Sequence, residues 1–125
     1  MNTILIVEDN EKNMKLVRDI LQHKGYTTIQ ATTGEEGWRL VQATQPDLVL
    51  MDIQLPDVDG ITVLRRIRAD ARFDGMPVVA VSASVMPADQ SKISGSGFDA
   101  FVPKPISLKP FMATVERFIR EGRTP

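Results

Sequence analysis

Three acidic residues stand where short aliphatic runs end. Ile4-Leu5-Ile6-Val7 leads into Glu8 and Asp9, and Leu48-Val49-Leu50-Met51 leads into Asp52. Carboxylates brought this close repel one another unless some take up protons or a cation joins them. The chain has no Cys and a single His, His23, so the donor set is all oxygen. Oxygen donors suit a hard cation, and Mg²⁺ fits best. Mg²⁺ takes one or two carboxylates and keeps positions open for water and phosphate oxygens. A carboxylate nucleophile beside such a cation is what phosphoryl transfer to Asp requires. Two further residues follow aliphatic runs in the same way. Ser82 comes after Val78-Val79-Ala80-Val81, and Lys104 comes shortly after Ala100-Phe101-Val102. A hydroxyl can donate to a phosphoryl oxygen, and an ammonium is a compact charge for the same group. Lys104 lies between Pro103 and Pro105, where the backbone has few free dihedrals, and the Lys104–Pro105 bond is a candidate for cis. Taken singly, each of these residues also reads as a solvated loop acid, a turn serine or a loop lysine. Their shared placement favours one site.

That placement depends on the elements. The three unbroken aliphatic runs read as strands covered on both faces, hence as a parallel sheet. Thr27-Thr28-Ile29-Gln30-Ala31 and Ala100-Phe101-Val102 are weaker strands suited to edges. Between them, Met14, Val17, Ile20 and Leu21 recur at helical spacing up to Gly25. Thr33-x-x-Glu36 is a capping box opening a helix that runs through Trp38 and Val41 to Pro46. Ile61, Leu64 and Ile67 mark a third helix after Gly60. Leu108, Phe111, Met112, Val115, Phe118 and Ile119 form the apolar face of a last helix, capped by Ser107 and ended by Gly122. The Pro87–Ser96 stretch, poor in apolar residues, predicts a short and loosely held fourth helix. Strict alternation predicts an α/β fold, a single (βα)5 domain with helices on both faces of the sheet. In such sheets ligands bind at the carboxyl ends of the strands, where the winding reverses. In the doubly wound order 2-1-3-4-5, strands one and three are neighbours there, which brings Glu8, Asp9 and Asp52 into one crevice.

Composition narrows the function. The chain has 125 residues, close to one domain at roughly 150 residues each. With 42% hydrophobic and 25% charged residues it has ordinary globular usage. Fifteen basic against sixteen acidic residues give a net charge of −1, which argues against nucleic-acid binding through bulk positive charge. The absence of Cys excludes disulfides, thiolate zinc sites and a Cys nucleophile. No basic n-region precedes the first apolar run, and no run approaches the roughly 20 residues of a membrane helix. A soluble, cytoplasmic domain is expected.

At this point the residues resemble a known family, the response-regulator receiver domains of bacterial two-component signalling. The motifs are ILIVEDN at 4–10, DLVLMDIQLPDVDG at 47–60, VVAVSAS at 78–84 and FVPKPI at 101–106. VEDNEKNMKLVRDIL most resembles stand-alone DivK-type regulators and the receivers of hybrid kinases. The resemblance covers the whole chain, so residues 1–125 read as one receiver with no effector domain. It implies the flavodoxin-like order 2-1-3-4-5, which chemotaxis receivers share. It implies that Asp52 is the phosphoryl acceptor. Glu8, Asp9, Asp52 and the backbone carbonyl of Gln54 would hold Mg²⁺. Ser82 would bind the arriving phosphoryl group, and Lys104 would pair with Asp52 before transfer and with the phosphate after it. Phe101 would be the aromatic switch coupled to Ser82, where the family more often has Thr. Gln54 and Ser84 occupy positions that tune aspartyl-phosphate lifetime in such proteins. The implied partners are a sensor histidine kinase or histidine phosphotransfer protein, and a downstream protein docking on the fourth helix, fifth strand and fifth helix, with Val85, Met86, Phe101 and Val102 as apolar contacts. No nucleic acid or membrane is implied, and a homodimer is left open. The chain would be no enzyme beyond its own phosphorylation and dephosphorylation.

Other readings compete. An aspartyl-phosphate phosphatase would carry a second Asp two residues after the nucleophile, where this chain has Gln54. A flavodoxin-like cofactor binder needs a Ser-, Thr- and Gly-rich loop in place of Glu8-Asp9-Asn10. A degenerate receiver serving only for docking sits badly with an intact acidic set. Within the receiver reading, a diffusible regulator, a phosphorelay intermediate and a phosphate sink stay open. Of the remaining residues, His23 is expected at the surface rather than as a phosphodonor, and Trp38 in packing. Arg65, Arg66, Arg68 and Arg72 are expected on a solvated face, and Asp57 and Asp59 in the turn before the third helix. Arg117, Arg120 and Arg123 suit a helix C-terminus.

Overall fold

The computed structural model describes residues 2–82 and 97–122. Strands β1 (Thr3–Val7), β2 (Thr27–Ala31), β3 (Leu48–Asp52), β4 (Val78–Ser82) and β5 (Ala100–Pro103) alternate with α1 (Glu11–His23), α2 (Gly34–Thr44), α3 (Gly60–Arg68) and a C-terminal helix (Leu108–Glu121). A short 3-10 turn, Ala71–Phe73, lies between α3 and β4. The sheet is parallel throughout, in the order β2-β1-β3-β4-β5. The expected fold and strand order are therefore present. The fourth helix expected over 87–96 lies outside the described residues, as do Ser84, Val85, Met86 and Arg123.

Pleat alternation sorts each central strand between two cores. Ile4, Ile6, Leu48, Leu50, Val79, Val81 and Val102 face α1 and the C-terminal helix, where Met14, Val17, Leu21, Phe111, Val115 and Phe118 meet them. Leu5, Val7, Val49, Met51 and Val78 face the other way, toward Val41 of α2, Val63, Leu64 and Ile67 of α3, and Phe73. Every residue of β3 and β4 is buried, as their unbroken aliphatic character requires. Trp38 packs edge-on to Phe73, with ring centroids 6.1 Å apart.

The helix ends carry the local chemistry. Asn10 caps α1 by accepting from the Asn13 N–H, and Gly25 beyond it has φ 92°. In the box opening α2, Thr33 Oγ1 accepts from Glu36 N, while the Glu36 carboxylate reaches back to Thr32 N. α2 ends on Gln45 in the left-handed region, φ 47°, one residue before Pro46.

Four details correct the expectations. Asp52 and Ser82 are the last residues of their strands rather than the residues after them. Ser107 occupies the cap position of the C-terminal helix, but its side chain makes no capping bond, and Leu108 is 55% exposed instead of joining the packed face. Arg68 is not on a solvated face. Its guanidinium pairs with Asp99 at 2.8 Å and donates to the carbonyls of Met76, Phe73 and Gly97. Asp57 does more than serve the turn before α3, where Val58 N–H bonds its carboxylate, because it also accepts from Gly34 N and Glu35 N of α2 at 2.8 and 3.0 Å. Asp59 does cap α3 through Thr62 N.

Candidate functional site

The site forms where β1, β3, β4 and β5 end on one edge of the sheet. Val7 and Met51 are partners in the parallel register of β1 and β3, so Glu8 and Asp52 emerge side by side. On the other side, Asp52 pairs with Val81, and Ser82 pairs with Pro103, the residue before Lys104. Lys104 N donates to the Ser82 carbonyl at 3.0 Å, which locks the root of the lysine to the end of β4. The Lys104–Pro105 peptide is cis.

Glu8, Asp52 and Ser82 are the polar residues buried among the described ones. Lys104 Nζ lies 2.7 Å from Glu8 Oε1 and 3.1 Å from Asp52 Oδ2, joining carboxylates from two strands. Glu8 Oε2 accepts from Asn10 N, and Asp52 Oδ1 accepts from Gln54 N, each at 3.1 Å. Asp9 is exposed at the mouth. One carboxylate oxygen from each of Glu8, Asp9 and Asp52 lies within 4.8 Å of the others.

The electrostatics follow from burial. Removal from water, reinforced by the neighbouring Asp52 carboxyl, pushes Glu8 up from 4.5 to about 7, against the pull of Lys104. Burial works against the Lys104 ammonium too, yet its bonds to Glu8 and Asp52 leave its pKa raised overall. One lysine therefore does not offset the local negative charge at neutral pH. The donor set lacks His and Cys, holds three carboxylates within reach of one ion, and carries excess negative charge. These properties fit a hard divalent cation.

The Glu8 shift also bears on stability in the metal-free protein. A carboxyl whose pKa is raised on folding binds more protons in the folded state across the window from 4.5 to about 7. Its contribution is thus most favourable below 4.5 and is lost as pH rises through about 7. Urea melts of the metal-free protein should show this part of the stability falling between pH 5 and 8, values within and just beyond the window from 4.5 to about 7. Glu8→Gln should remove that slope; a slope unchanged by the substitution would contradict the assignment.

The expected residues assemble as follows. Glu8, Asp9, Asp52 and Lys104 meet in one cluster, with buried Ser82 closing the same edge. Gln54 is exposed in the loop leaving β3, tied to Asp52 through its N–H. Phe101 is half-buried on β5 beside Ala80, two residues before the Ser82–Pro103 pair. His23 is exposed at the end of α1. Sequence reasoning missed Gly60. A Cβ there would overlap the Asp52 carbonyl oxygen, so α3 starts against the backbone of Asp52 only because position 60 lacks a side chain. The Asp-Gly pair at 59–60 was visible, but its closeness to Asp52 was not.

Comparison with known proteins agrees with this geometry. The response regulator receiver domain family matches residues 4–116. The polar-differentiation response regulator DivK of Brucella ovis is 42% identical over 120 residues, spanning 96% of this chain and 98% of that protein. Among solved structures, a receiver domain of the sensor histidine kinase PA1611 from Pseudomonas aeruginosa PAO1 superposes with a TM-score of 0.89 at 28% identity, covering 96% of this chain and 98% of that one. That crystal structure has a magnesium ion coordinated in its active site cleft. A CheY-like receiver domain protein from Methanospirillum hungatei JF-1 gives a TM-score of 0.88 at 26% identity, covering 97% and 95%. Carboxylates and a lysine gathered on one sheet edge, a 2-1-3-4-5 sheet and these matches lead to one assignment: the chain belongs to the response regulator receiver domain family.

Proposed function

We propose that this receiver accepts a phosphoryl group from a histidine kinase or histidine phosphotransfer protein onto Asp52, with Mg²⁺ as cofactor. The observation that carries the reading is the Lys104 ammonium between Glu8 and Asp52 in a buried recess, with Asp9 at its mouth. Such a recess presents a carboxylate oxygen to an incoming phosphorus and surrounds it with groups able to receive the donor's charge. Glu8, Asp9 and Asp52, with the carbonyl of Gln54, would hold the ion. When bound, Mg²⁺ neutralises phosphoryl oxygens during in-line transfer. The magnesium-bound kinase receiver supports the cofactor, and the likeness to DivK supports a response regulator rather than a metabolic enzyme.

The chain's own residues do the rest. An Asp52 oxygen forms the new P–O bond as the donor's P–N bond breaks, with the electron pair leaving on the imidazole. Lys104, already 3.1 Å from Asp52 Oδ2, turns its ammonium toward the phosphoryl oxygens that now carry the charge. The Ser82 hydroxyl donates to the same group, drawing in the segment after β4. Phe101 on the adjoining strand follows, and the fourth helix expected over 87–96, β5 and the C-terminal helix form the face that signals to a protein partner. Gln54 and Ser84 set how long the acyl phosphate lasts. The chain acts on no external substrate; it catalyses its own phosphorylation and dephosphorylation. This reading places it in the cytoplasm; among the described residues no helix is long and apolar enough to cross a membrane.

The metal half is tested by titration. Asp9→Ala should weaken Mg²⁺ affinity by at least about tenfold, since even changes beyond the direct ligands cost metal sites that much. An unchanged calorimetric titration would count against the site.

A further inference from the structure

The loop between β3 and α3, residues 53–59, carries Gln54. It is closed at its base, where Gly60 N donates to the Ile53 carbonyl at 2.8 Å. Beyond that base Gln54, Pro56, Asp57 and Asp59 are exposed, and Leu55 and Val58 are only partly buried against the core. A loop with so little apolar anchorage needs another tie to hold one conformation.

That tie comes from a different element. Helix α2 begins with N–H groups that have no partner within the helix. Thr33 takes the Glu36 N–H, and the Gly34 and Glu35 N–H groups are both taken by the Asp57 carboxylate, at 2.8 and 3.0 Å. The positive end of an eleven-residue helix thus grips the loop more than twenty positions further along the chain. Contact reinforces charge here. A Cβ on Gly34 would overlap Val58 Cγ2, so the loop rests directly on the first turn of α2. The Glu35 and Gly34 N–H bonds, helped by backbone N–H groups of the loop itself, hold the Asp57 carboxyl down at about 2, so the tie is fully charged at neutral pH.

We propose that Asp57 is a positioning residue for the Mg²⁺ site: by docking the loop on the N-terminus of α2, it holds the Gln54 backbone ready for the ion. This inference rests on the receiver reading above. Without the tie the loop samples other conformations, and apparent Mg²⁺ affinity falls in proportion to the competent fraction. The residues that touch the phosphoryl group are untouched, so phosphorylation at saturating Mg²⁺ should be preserved.

The experiment follows Mg²⁺ in two ways, by the shift of the Gln54 amide resonance and by the Mg²⁺ dependence of phosphorylation with acetyl phosphate. Asp57→Ala should raise half-saturating Mg²⁺ about fivefold in both readouts while leaving the rate at saturation unchanged. Asp57→Asn, which keeps an acceptor oxygen, should restore part of the loss. Gly34→Ala, which pushes the loop off α2 without touching Asp57, should reproduce it. A wild-type half-saturation in Asp57→Ala overturns the inference and leaves the receiver reading standing. Wild-type protein that neither binds Mg²⁺ nor becomes phosphorylated overturns the reading and the inference together. If Asp57→Ala loses its far-UV circular dichroism, Asp57→Asn and Gly34→Ala decide: half-saturation equal to wild type in both overturns the inference.

Discussion

Asp52→Asn is expected to abolish hydroxylamine-labile phosphorylation by a histidine kinase, a phosphotransfer protein or acetyl phosphate. The amide has nearly the shape of the carboxylate, so packing at the end of β3 should survive, including the acceptance from Gln54 N. The substitution removes the anionic oxygen that attacks phosphorus. It also removes the charge of one of the two carboxyl groups that hold Lys104. Neither neighbouring acid can replace it. Glu8 is engaged by Lys104 and Asn10 N, and Asp9 sits out at the mouth. The measurement is radiolabel retained through denaturing electrophoresis and its release by hydroxylamine. Label undiminished in the Asn variant would mean that another residue is the acceptor, and the assignment of Asp52 would fall.

The largest loss of stability is expected at the opposite edge of the sheet, from Arg68→Leu. The Arg68 and Asp99 side chains are only 14% and 11% exposed and pair at 2.8 Å. Asp99 also accepts from Val78 N at 2.8 Å, and its own N–H donates to the Val78 carbonyl at 2.9 Å. Arg68 adds bonds to the carbonyls of Met76 and Gly97 at 2.9 and 3.2 Å. One side chain therefore fastens the end of α3 to the starts of β4 and β5. Removing it takes the guanidinium charge away from a largely buried carboxylate and strips carbonyls of their donor. Breaking a pair from one side in this way costs about 3 kcal/mol or more. The urea midpoint should fall by roughly 2 M for a chain of this size. Arg66→Leu is the control. Arg66 pairs with Glu35 at 2.7 Å, but the two side chains are 38% and 56% exposed, and such a pair contributes about 1 kcal/mol or less. Equal midpoints for the two variants would show that the Arg68 network does not stabilise the fold as its burial requires.

Arg66 and Arg68 show where a linear reading stops. Both are arginines in the last turns of an amphipathic helix; Arg68 follows buried Ile61 and Leu64 at helical spacing, but that spacing names no partner for it. Their difference lies in what faces them: exposed Glu35 at the start of α2 for one, and for the other Asp99 with three carbonyls just ahead of β4 and β5. Asp57 and Asp59 repeat the lesson. Asp59 caps the helix that follows it, a local act with a local signal. Asp57 caps a helix that precedes it by more than twenty residues, and no local pattern announces that. Leu108 failed for a related reason. It has the right spacing for the packed face, but it is the first residue of the helix, one turn ahead of the buried pair Phe111 and Met112.

What the order of residues settled was whatever depends on period and punctuation. Short, β-branched aliphatic runs bounded by Pro, Asp and Asn read as strands buried on both faces, and their alternation with helical repeats points to a parallel sheet. Acids, a serine and a lysine at the ends of those runs must then share one edge, because parallel strands all finish on the same side. Distances and partners came from the folded chain alone. That Lys104 joins Glu8 to Asp52, that burial carries Glu8 to about 7, and that Asp57 and Arg68 bind remote backbone all depend on three-dimensional neighbours. Charge and hydrogen bonding act across a few ångströms of space, and the chain covers those few ångströms only after it has folded.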